Sequence, residues 1–434
     1  ENAVEGFAFL AAYRRNQQWL LEAPSSMTDG DAPDLAAAGL LLARQRAAAP
    51  TRLAPADTLA LLDAFRIAHV DAAPAASIAD ARAAAQRLHY PVLLVRDGDD
   101  PRRTLAANAR ALERGFAQMS VDGDALRVVA TPRVDGARVF AIGLHVDATF
   151  GPVITLGAAS YFTRGASATM LPPLNRRLAL DLVAGCGDAT AGLADPSREA
   201  LSRLLLQVSA MACALPAVRA MVLEPVMVGA SDAVVVDARV DVDTTRARMP
   251  HYAHMAIHPY PVELEGDVRL RDGQRLFVRP IRPEDVDLER QFVAGLSDET
   301  RYFRFFYLLH ELTPQMLARF TQVDYDRELA LVAFARGRGR TVGDFVAIAR
   351  YILNADRTAA EFAVVVADAW QGRGVGHALM QRLMDAARAN GVARLEGTVL
   401  RGNANMLRFS AALGFSVAGD PSDPEQVTVS RSLD

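Results

Sequence analysis

Lysine is missing. None of the 434 residues is a lysine, and all 47 side chains in the Lys+Arg class are arginine. Chemistry that needs a lysine amine in the chain itself, such as a Schiff base or a phosphate-clamping ammonium, is therefore excluded. A GC-rich coding bias, which also accounts for the abundant alanine, is the plain explanation. Cysteine is scarce: Cys186 and Cys213 stand alone, in no metal-ligand spacing. That excludes a disulfide scaffold, gives no reason to expect a metal, and points to a reduced cytoplasmic protein. No apolar run approaches the ~18 residues a membrane span needs; the longest obvious one, Leu35–Ala43, reads as a short Ala/Leu helix. The net charge is only −4, which gives no sign of nucleic-acid binding. A signal peptide is also lacking, and a start at Glu1 inside a helical pattern reads as part of a longer protein.

What is present is a globular composition, 51% hydrophobic and 23% charged, able to bury large cores. The length suggests two or three domains of about 150 residues each. Residues 1–22 read as a helix and 23–34 as a Pro/Ser/Gly/Asp linker, so that 1–49 form a helical segment with its linker. From 50 to 245, helices near 56–66, 79–88 and 197–213 are interspersed with strands near 90–95, 125–130, 137–146, 219–224 and 233–239, which indicates an α/β domain. Residues 246–266, with several His, Tyr and Pro, read as a linker. The second domain, 267–434, opens with a hairpin: Val268–Leu270, the turn Asp272-Gly273, then Leu276–Pro280. Pro283-Glu284-Asp285 starts a helix with acids in its first turn, and strands follow at 328–335 and 342–351.

The most informative stretch comes next. Ala360–Val366 reads as a strand, and Gln371-Gly372-Arg373-Gly374-Val375-Gly376 as a tight turn whose backbone can approach a ligand. From His377 the apolar residues Leu379, Met380, Leu383, Met384 and Ala387 recur at helical spacing. N–H groups converging at a helix start suit a pyrophosphate. A Rossmann fingerprint would need an acid about twenty residues beyond its glycines, and a P-loop would need Lys then Ser or Thr. Neither fits, since His377 and Ala378 follow the last glycine.

Gln/Arg-x-x-Gly-x-Gly/Ala resembles the pyrophosphate loop of the GNAT superfamily of N-acetyltransferases. The segment downstream agrees: a strand at Leu395–Val399, Asn403-Ala404-Asn405-Met406, a helix, and Leu413-Gly414-Phe415. The first domain resembles the C-terminal, ATP-grasp part of ADP-forming acyl-CoA synthetases through Ala84–Val95, Asp147–Ile154, Leu171–Asn175 and Val234–Val240. With the box Thr321–Ala330 and the run Arg301–Phe306, the pairing resembles the bacterial Pat-type protein lysine acetyltransferases over almost the whole chain; that family's N-terminal CoA-binding domains are absent from this sequence. The resemblance implies an α/β (α+β) chain, an ATP-grasp-like domain followed by a GNAT domain. The latter has a central mixed sheet flanked by helices, with the acetyl-CoA turn after its fourth strand.

It also implies acetyl-CoA as co-substrate and direct acetyl transfer to a lysine ε-amine of a target protein. The family's usual target is an acyl-CoA synthetase; neither nucleic acid nor membrane is implied as a partner, and homo-oligomerisation is left open. A lysine-free chain fits an enzyme that modifies lysines and spares itself. Free lysine is almost wholly protonated near pH 7, so a general base is needed, and Glu361 matches the family's catalytic Glu in Ala-Glu-Phe-Ala. It shares a strand face with Ala363 and Val365, and apolar neighbours would raise its proton affinity; the competing reading is a solvated acid at a strand edge. The loop Gln371, Gly372, Arg373, Gly374, Val375, Gly376 and His377 would hold the pyrophosphate by N–H groups, with side-chain contacts from Gln371 and Arg373. Val364, Val365 and Val366 would pair with the pantetheine arm, one N–H polarising the thioester carbonyl. Asn403 and Asn405 would bind the cofactor or cap the next helix. Phe409-Ser410 stands where many GNAT enzymes carry a Tyr acid, so the CoA thiolate is expected to leave unaided. Asp324, Asp326 and Glu328 read as partner-binding acids or as a salt-bridged box, and Arg301–Phe306 as an amphipathic helix with core aromatics.

The chemistry of an ATP-grasp site is not matched. Such sites need a phosphate-clamping Lys, a glycine loop and acid or amide ligands for Mg²⁺. Val95 stands at the lysine position, Gly157-Ala158-Ala159-Ser160 at the glycine turn, and Val139 at an expected Glu. Val222 and Glu224 stand at an expected Asp and Asn or His. ATP is therefore not expected to be used, and the domain reads as regulatory or substrate-presenting; Glu224 is a lone metal ligand or a structural acid. Three functions compete: protein lysine acetylation, acetylation of a small amine, and a non-enzymatic acyl-CoA sensor, against which an intact Glu361 argues.

Overall fold

The computed structural model describes residues 6, 9–11, 13–14, 22–25, 32–45, 51–96, 102–120, 126–132, 137–158, 167–249, 252–335, 343–419 and 423–433. The expected helix over 1–22 falls largely outside them; residues 6, 9–11 and 13–14 are helical. The chain forms two compact units, residues 26–257 and residues 258–434 together with 1–25. The division falls within the expected 246–266 linker. Tyr260 N–H donates to the Pro24 carbonyl at 2.9 Å and tethers that short segment to the second unit.

The first unit contains two sheets. A four-stranded one (Ala72–Ala75, Val92–Arg96, Arg102–Ala106, Leu126–Ala130) packs on the helices Ile78–Leu88 and Ala109–Met119. Ser77 and Asp80 form a reciprocal capping box at the first helix, and Asn108 caps the second. A seven-stranded antiparallel sheet, centred on Arg138–Asp147 and Val218–Val228, packs against Asp195–Ala214. The helices Ala109–Met119 and Arg176–Gly185 were not expected from the sequence. In the former, Gly115 lies close against the sheet: a Cβ there would meet Thr104 Cγ2 at 3.3 Å.

In the second unit the strands are β1 (Gly266–Arg269), β2 (Arg275–Pro280), β3 (Glu328–Ala335), β4 (Asp344–Leu353), β5 (Ala359–Val366), β6 (Arg394–Leu400), β7 (Ser416–Gly419) and β8 (Gln426–Ser432). The helices are α1 (Val286–Ala294), α2 (Asp298–Phe305), α3 (Pro314–Thr321), α4 (Val375–Ala389) and α5 (Ala404–Ala412). The strands form one sheet in the order β1-β2-β3-β4-β5-β6-β8-β7. β3 is buried at every position, as a central strand covered on both faces must be. α4 buries Val375, Leu379, Met380, Leu383, Met384, Ala386 and Ala387 against the sheet, the stripe expected from its period. The glycine turn follows the fifth strand of the unit, not the fourth, because the opening hairpin adds β1 ahead of the other four.

All strand pairs in this sheet are antiparallel except β5–β6, which is parallel and short. It spans three residue pairs, Ala359↔Arg394, Ala360↔Leu395 and Glu361↔Glu396, after which the strands part. The Phe362 ring wedges the parting. A Cβ on Gly397 would come within 2.9 Å of that ring, which also meets Phe415 at a centroid distance of 4.9 Å.

Candidate active site

Where β5 and β6 part, a cavity of about 890 Å³ opens. Its walls are β5 from Glu361 to Val366, the glycine loop with the start of α4, Gly397–Val399 of β6, α5 with Phe409, and the cavity side of α2. The expected residues Val364, Val365, Val366, Gln371, Gly372, Gly374, Val375, Gly376, His377, Asn403 and Asn405 all line it, with Glu361.

The loop takes its shape from two glycines. Gly372 and Gly374 have φ of +71° and +87°, while a Cβ on either meets nothing within 4 Å. The requirement is conformational, not one of space. Gly374 is the N-cap of α4 and provides no capping side chain, so the first N–H groups of that helix are presented by backbone alone. Gly376 differs: a Cβ there would touch the Phe409 ring and Val366 at 3.4 Å. For Gly374→Ala we expect about 1–2 kcal/mol of backbone strain, read as roughly a tenfold rise in the Kd for acetyl-CoA by calorimetry. An unchanged Kd would show that the loop does not hold the cofactor.

The side-chain contacts expected from Gln371 and Arg373 are not directed at the cavity. Gln371 Nε2 donates to the Val366 carbonyl (3.1 Å) and to Thr300 Oγ1 (3.3 Å), bracing the loop against β5 and α2. Arg373 bonds Asp272 (2.9 Å) and Gln274 (2.6 Å) at the hairpin turn and stacks on Trp370 at 4.4 Å. Both therefore shape the loop and leave ligand contact to the backbone. Asn403 is the N-cap of α5, its Oδ1 accepting from Met406 N–H at 3.0 Å, and Asn405 accepts from Arg408 at 2.6 Å.

Glu361 is exposed on the cavity wall. Val365 on its face is buried and Ala363 half-buried, and β6 parts from β5 after this residue while staying paired with β8. Arg304 of α2 lines the same cavity.

Sequence reasoning missed several residues around this cavity. Asp368, just after β5, accepts from Ser297 N–H (2.8 Å), Ser297 Oγ (2.8 Å) and Thr300 Oγ1 (2.7 Å), tying the start of α2 to the loop. Partial burial pushes its carboxyl up, but the Thr300 and Ser297 hydrogen bonds outweigh this and hold it below the usual range. No residue of α2 is fully buried; Phe303 and Phe305 line the cavity, and Phe305 also packs against the domain core and stacks on Phe320, so it is a core aromatic as expected. Behind α2, Glu289 of α1 is 3% exposed, and its Oε2 has no hydrogen-bond partner. Burial pushes this carboxyl up to about 7, against the pull of Arg350 and Arg304. Burial and the like charge of Arg350 bring the half-buried Arg304 down to about 10.

The box after α3 is structural. Asp324 Oδ1 accepts from the N–H groups of Asp326, Arg327 and Glu328, Asp326 binds Arg357 through both oxygens, and Glu328 pairs with Arg319 and Arg350.

In the first unit Val95 is fully buried, and its ladder neighbours on either side are Arg103 and Arg127. Both arginines bind Asp237, at 3.0 Å and 2.8 Å. Val222 and Glu224 lie on the strand Val218–Val228, where the Glu224 carbonyl accepts from Arg103 at 2.8 Å, and Val139 is exposed. Gly157 and Ala158 end a strand; Ala159 and Ser160 lie outside the described residues. Among the described residues no group of three or more His, Cys, Asp or Glu side chains is arranged to hold a metal. No helix among them is long and apolar enough to cross a membrane.

Both units of the chain are similar to known protein families. Residues 296–415 match the acetyltransferase (GNAT) family, and residues 44–242 match an ATP-grasp domain. The chain is 38% identical over 169 residues to Acetyltransferase PA5475 of Pseudomonas aeruginosa, covering 38% of this chain and 89% of that protein. It is 32% identical over 148 residues to Acetyltransferase Pat of Mycolicibacterium smegmatis, covering 34% of this chain and 43%, less than half, of that protein. Among solved structures, the GNAT domain of S. lividans PAT has 32% identity, a TM-score of 0.37, and covers 40% of this chain and 99% of its own.

Proposed function

From a chain that belongs to the GNAT acetyltransferase family, we propose a specific reaction: direct transfer of acetyl from acetyl-CoA to a lysine ε-amine of another protein, with Glu361 as general base. The coarser part is established by the relatives: this is an N-acetyltransferase of the Pat type, a GNAT domain joined to an ATP-grasp-like one. The observation that carries the finer reading is Glu361, an exposed carboxylate on the wall of the cavity that the glycine loop also lines. An exposed base is within reach of a side chain projecting from a bulky acceptor.

In this reading the N–H groups of the loop and of α4 hold the diphosphate. On the parted edge of β5, half of the backbone groups face the cavity, in the alternation of a strand, and bind the pantetheine amides. Glu361 takes a proton from the lysine ammonium. The freed amine attacks the thioester carbonyl carbon, a C–N bond forms, the C–S bond breaks as CoA departs as thiolate, and the second proton of the nitrogen is released to solvent to leave the amide. An N–H of Val364–Val366 steadies the charge on the carbonyl oxygen.

Catalysis is assigned to residues 267–434 and a regulatory role to 50–245. The carboxylate of Asp237 is committed to Arg103 and Arg127, and a buried Val95 stands between them, which supports a domain that no longer handles ATP. The acceptor class proposed is an acyl-CoA synthetase. The test is thiol release from acetyl-CoA with an AMP-forming acetyl-CoA synthetase as acceptor, followed by mass-spectrometric mapping. Because this chain has no lysine, every acetyl-lysine found lies on the acceptor. Tight acetyl-CoA binding without transfer to that protein would favour a small-amine acceptor or a sensor.

A further inference from the structure

We propose that Asp368 is a positioning residue for the transfer: its carboxylate latches the start of α2 to the glycine loop, and so fixes one wall of the cavity relative to the bound acetyl-CoA. The proposal rests on the reading of that cavity as the transfer site.

α2 is a short bar with little to hold it along its length. None of its residues is fully buried, although Thr300, Phe303, Arg304 and Phe305 line the cavity. Its far end is seated by Phe305, which packs on the core and stacks on Phe320 at a centroid distance of 6.3 Å. Its near end is held by Asp368, which accepts from Ser297 N–H and Ser297 Oγ, both at 2.8 Å, and from Thr300 Oγ1 at 2.7 Å. Among the described residues, the other hydrogen bonds that join α2 to the rest of the chain are two. One comes from Gln371 of the loop, and the other runs from Arg301 to the His310 carbonyl at 3.4 Å, in the segment after the helix. With the latch open, α2 can pivot about Phe305, and the side chains it gives to the cavity move with it.

Counting protons gives the latch a direction. Ser297 and Thr300 each own one hydroxyl proton. Their oxygens lie 3.1 Å apart, and the shorter distances to Asp368 take both protons. Thr300 Oγ1 is then left to accept from Gln371 Nε2 at 3.3 Å, and Gln371 Nε2 also donates to the Val366 carbonyl at 3.1 Å. One chain of bonds therefore links the end of β5, the loop and α2, and its hydroxyl protons all point at Asp368. A carboxylate suits that place because it accepts at both oxygens and donates at neither.

The loop does not need the latch to keep its own shape, which Gly372, Gly374 and the Arg373 bonds to Asp272 and Gln274 already set. Asp368 and Ser297 are both exposed, so losing their bonds costs the fold only about 1 kcal/mol each. What the latch adds is registry between cofactor loop and cavity wall. A misplacement of about 1 Å at reacting groups can cost about 10²-fold in rate.

The experiment uses the full chain and three readings. These are kcat for transfer to the acetyl-CoA synthetase acceptor, the Kd for acetyl-CoA by calorimetry, and amide hydrogen exchange of α2 and α4 by mass spectrometry. The variants are Asp368→Ala, Ser297→Ala, Ser297→Thr and the Asp368→Ala/Ser297→Ala double. We expect Asp368→Ala to lower kcat about tenfold or more while the Kd stays within about threefold. Exchange across α2 should quicken about tenfold and that of α4 should not. Ser297→Ala should act in the same direction, and Ser297→Thr, which keeps the hydroxyl, should stay near wild type. The double variant should be no worse than Asp368→Ala, since both open one latch. A raised Kd with α2 exchange unmoved would make Asp368 a direct cofactor ligand and overturns the proposal. So does a kcat within about twofold of wild type, or a loss of protection shared equally by α2 and α4. If Asp368→Ala does not fold, Ser297→Ala decides by the same readings. Failure of the underlying reading looks different: wild type would transfer nothing to that acceptor while α2 exchange still responded to Asp368→Ala.

Discussion

Glu361→Gln lowers kcat by about 10²–10⁴-fold near pH 7 and leaves the KM for acetyl-CoA within about twofold. Glutamine preserves the shape but cannot take a proton from the acceptor ammonium. The side chain is exposed, so the substitution costs little stability and the fold survives to be assayed. The deficit should also depend on pH in one direction. A lysine in water has a pKa of about 10.4, so each unit of pH below that value costs about tenfold in free amine. The variant has only this spontaneously deprotonated fraction to use. Its rate therefore climbs steeply from pH 7 to 9.5, and the gap to wild type narrows. Thiol-release assays across that range check both parts. A variant that is as fast as wild type at pH 7 removes Glu361 from the mechanism.

Asp237→Ala destabilises the unit of residues 26–257 by about 3–5 kcal/mol. The carboxylate is 4% exposed and holds two guanidinium groups, Arg127 being itself nearly buried. Removing it takes a shared counter-charge from both guanidinium groups, which is the costly way to break a buried pair. For a unit of this size the loss corresponds to about 10 °C or more in the melting temperature, measured by circular dichroism with heating or urea. A change below about 1 kcal/mol would mean that water reaches the pair and screens it. The same instrument tests the nucleotide question, since wild-type protein with excess Mg-ATP should melt where it melts without it. A rise in melting temperature would restore ATP as a ligand.

The site was legible in the sequence where its logic is local. The glycine loop, the α4 stripe and the β1–β2 turn at Asp272-Gly273 each place their signals within a few residues, and each stands where its spacing puts it. What was not legible depends on partners far along the chain. Asp368 is 71 residues from Ser297, Arg373 is 101 residues from Asp272, and Arg103 is 134 residues from Asp237. No periodicity announces such pairs. The side chains of Gln371 and Arg373 therefore looked free to meet a ligand, when the hairpin, α2 and Trp370 had already engaged them. No local pattern marks Glu289 as buried, because its burial depends on the packing of α1 against the distant β4 and α3. The helix Ala109–Met119 was missed for a related reason: Gly115 weakens its local signal, and the close approach to Thr104 that requires the glycine is tertiary.

The eight-stranded sheet is two sheets joined by a short seam. Five strands lie on one side and three on the other, and the ladder between them spans three residue pairs. Mechanically this is the weakest line across the unit, and it is also where the chemistry is proposed to occur. A ligand arm lying in the gap, with amides offered to the free edge of β5, acts as a stitch: it lengthens the seam and makes the two halves move as one plate. Occupancy of the cavity and stiffness of the sheet then become a single variable.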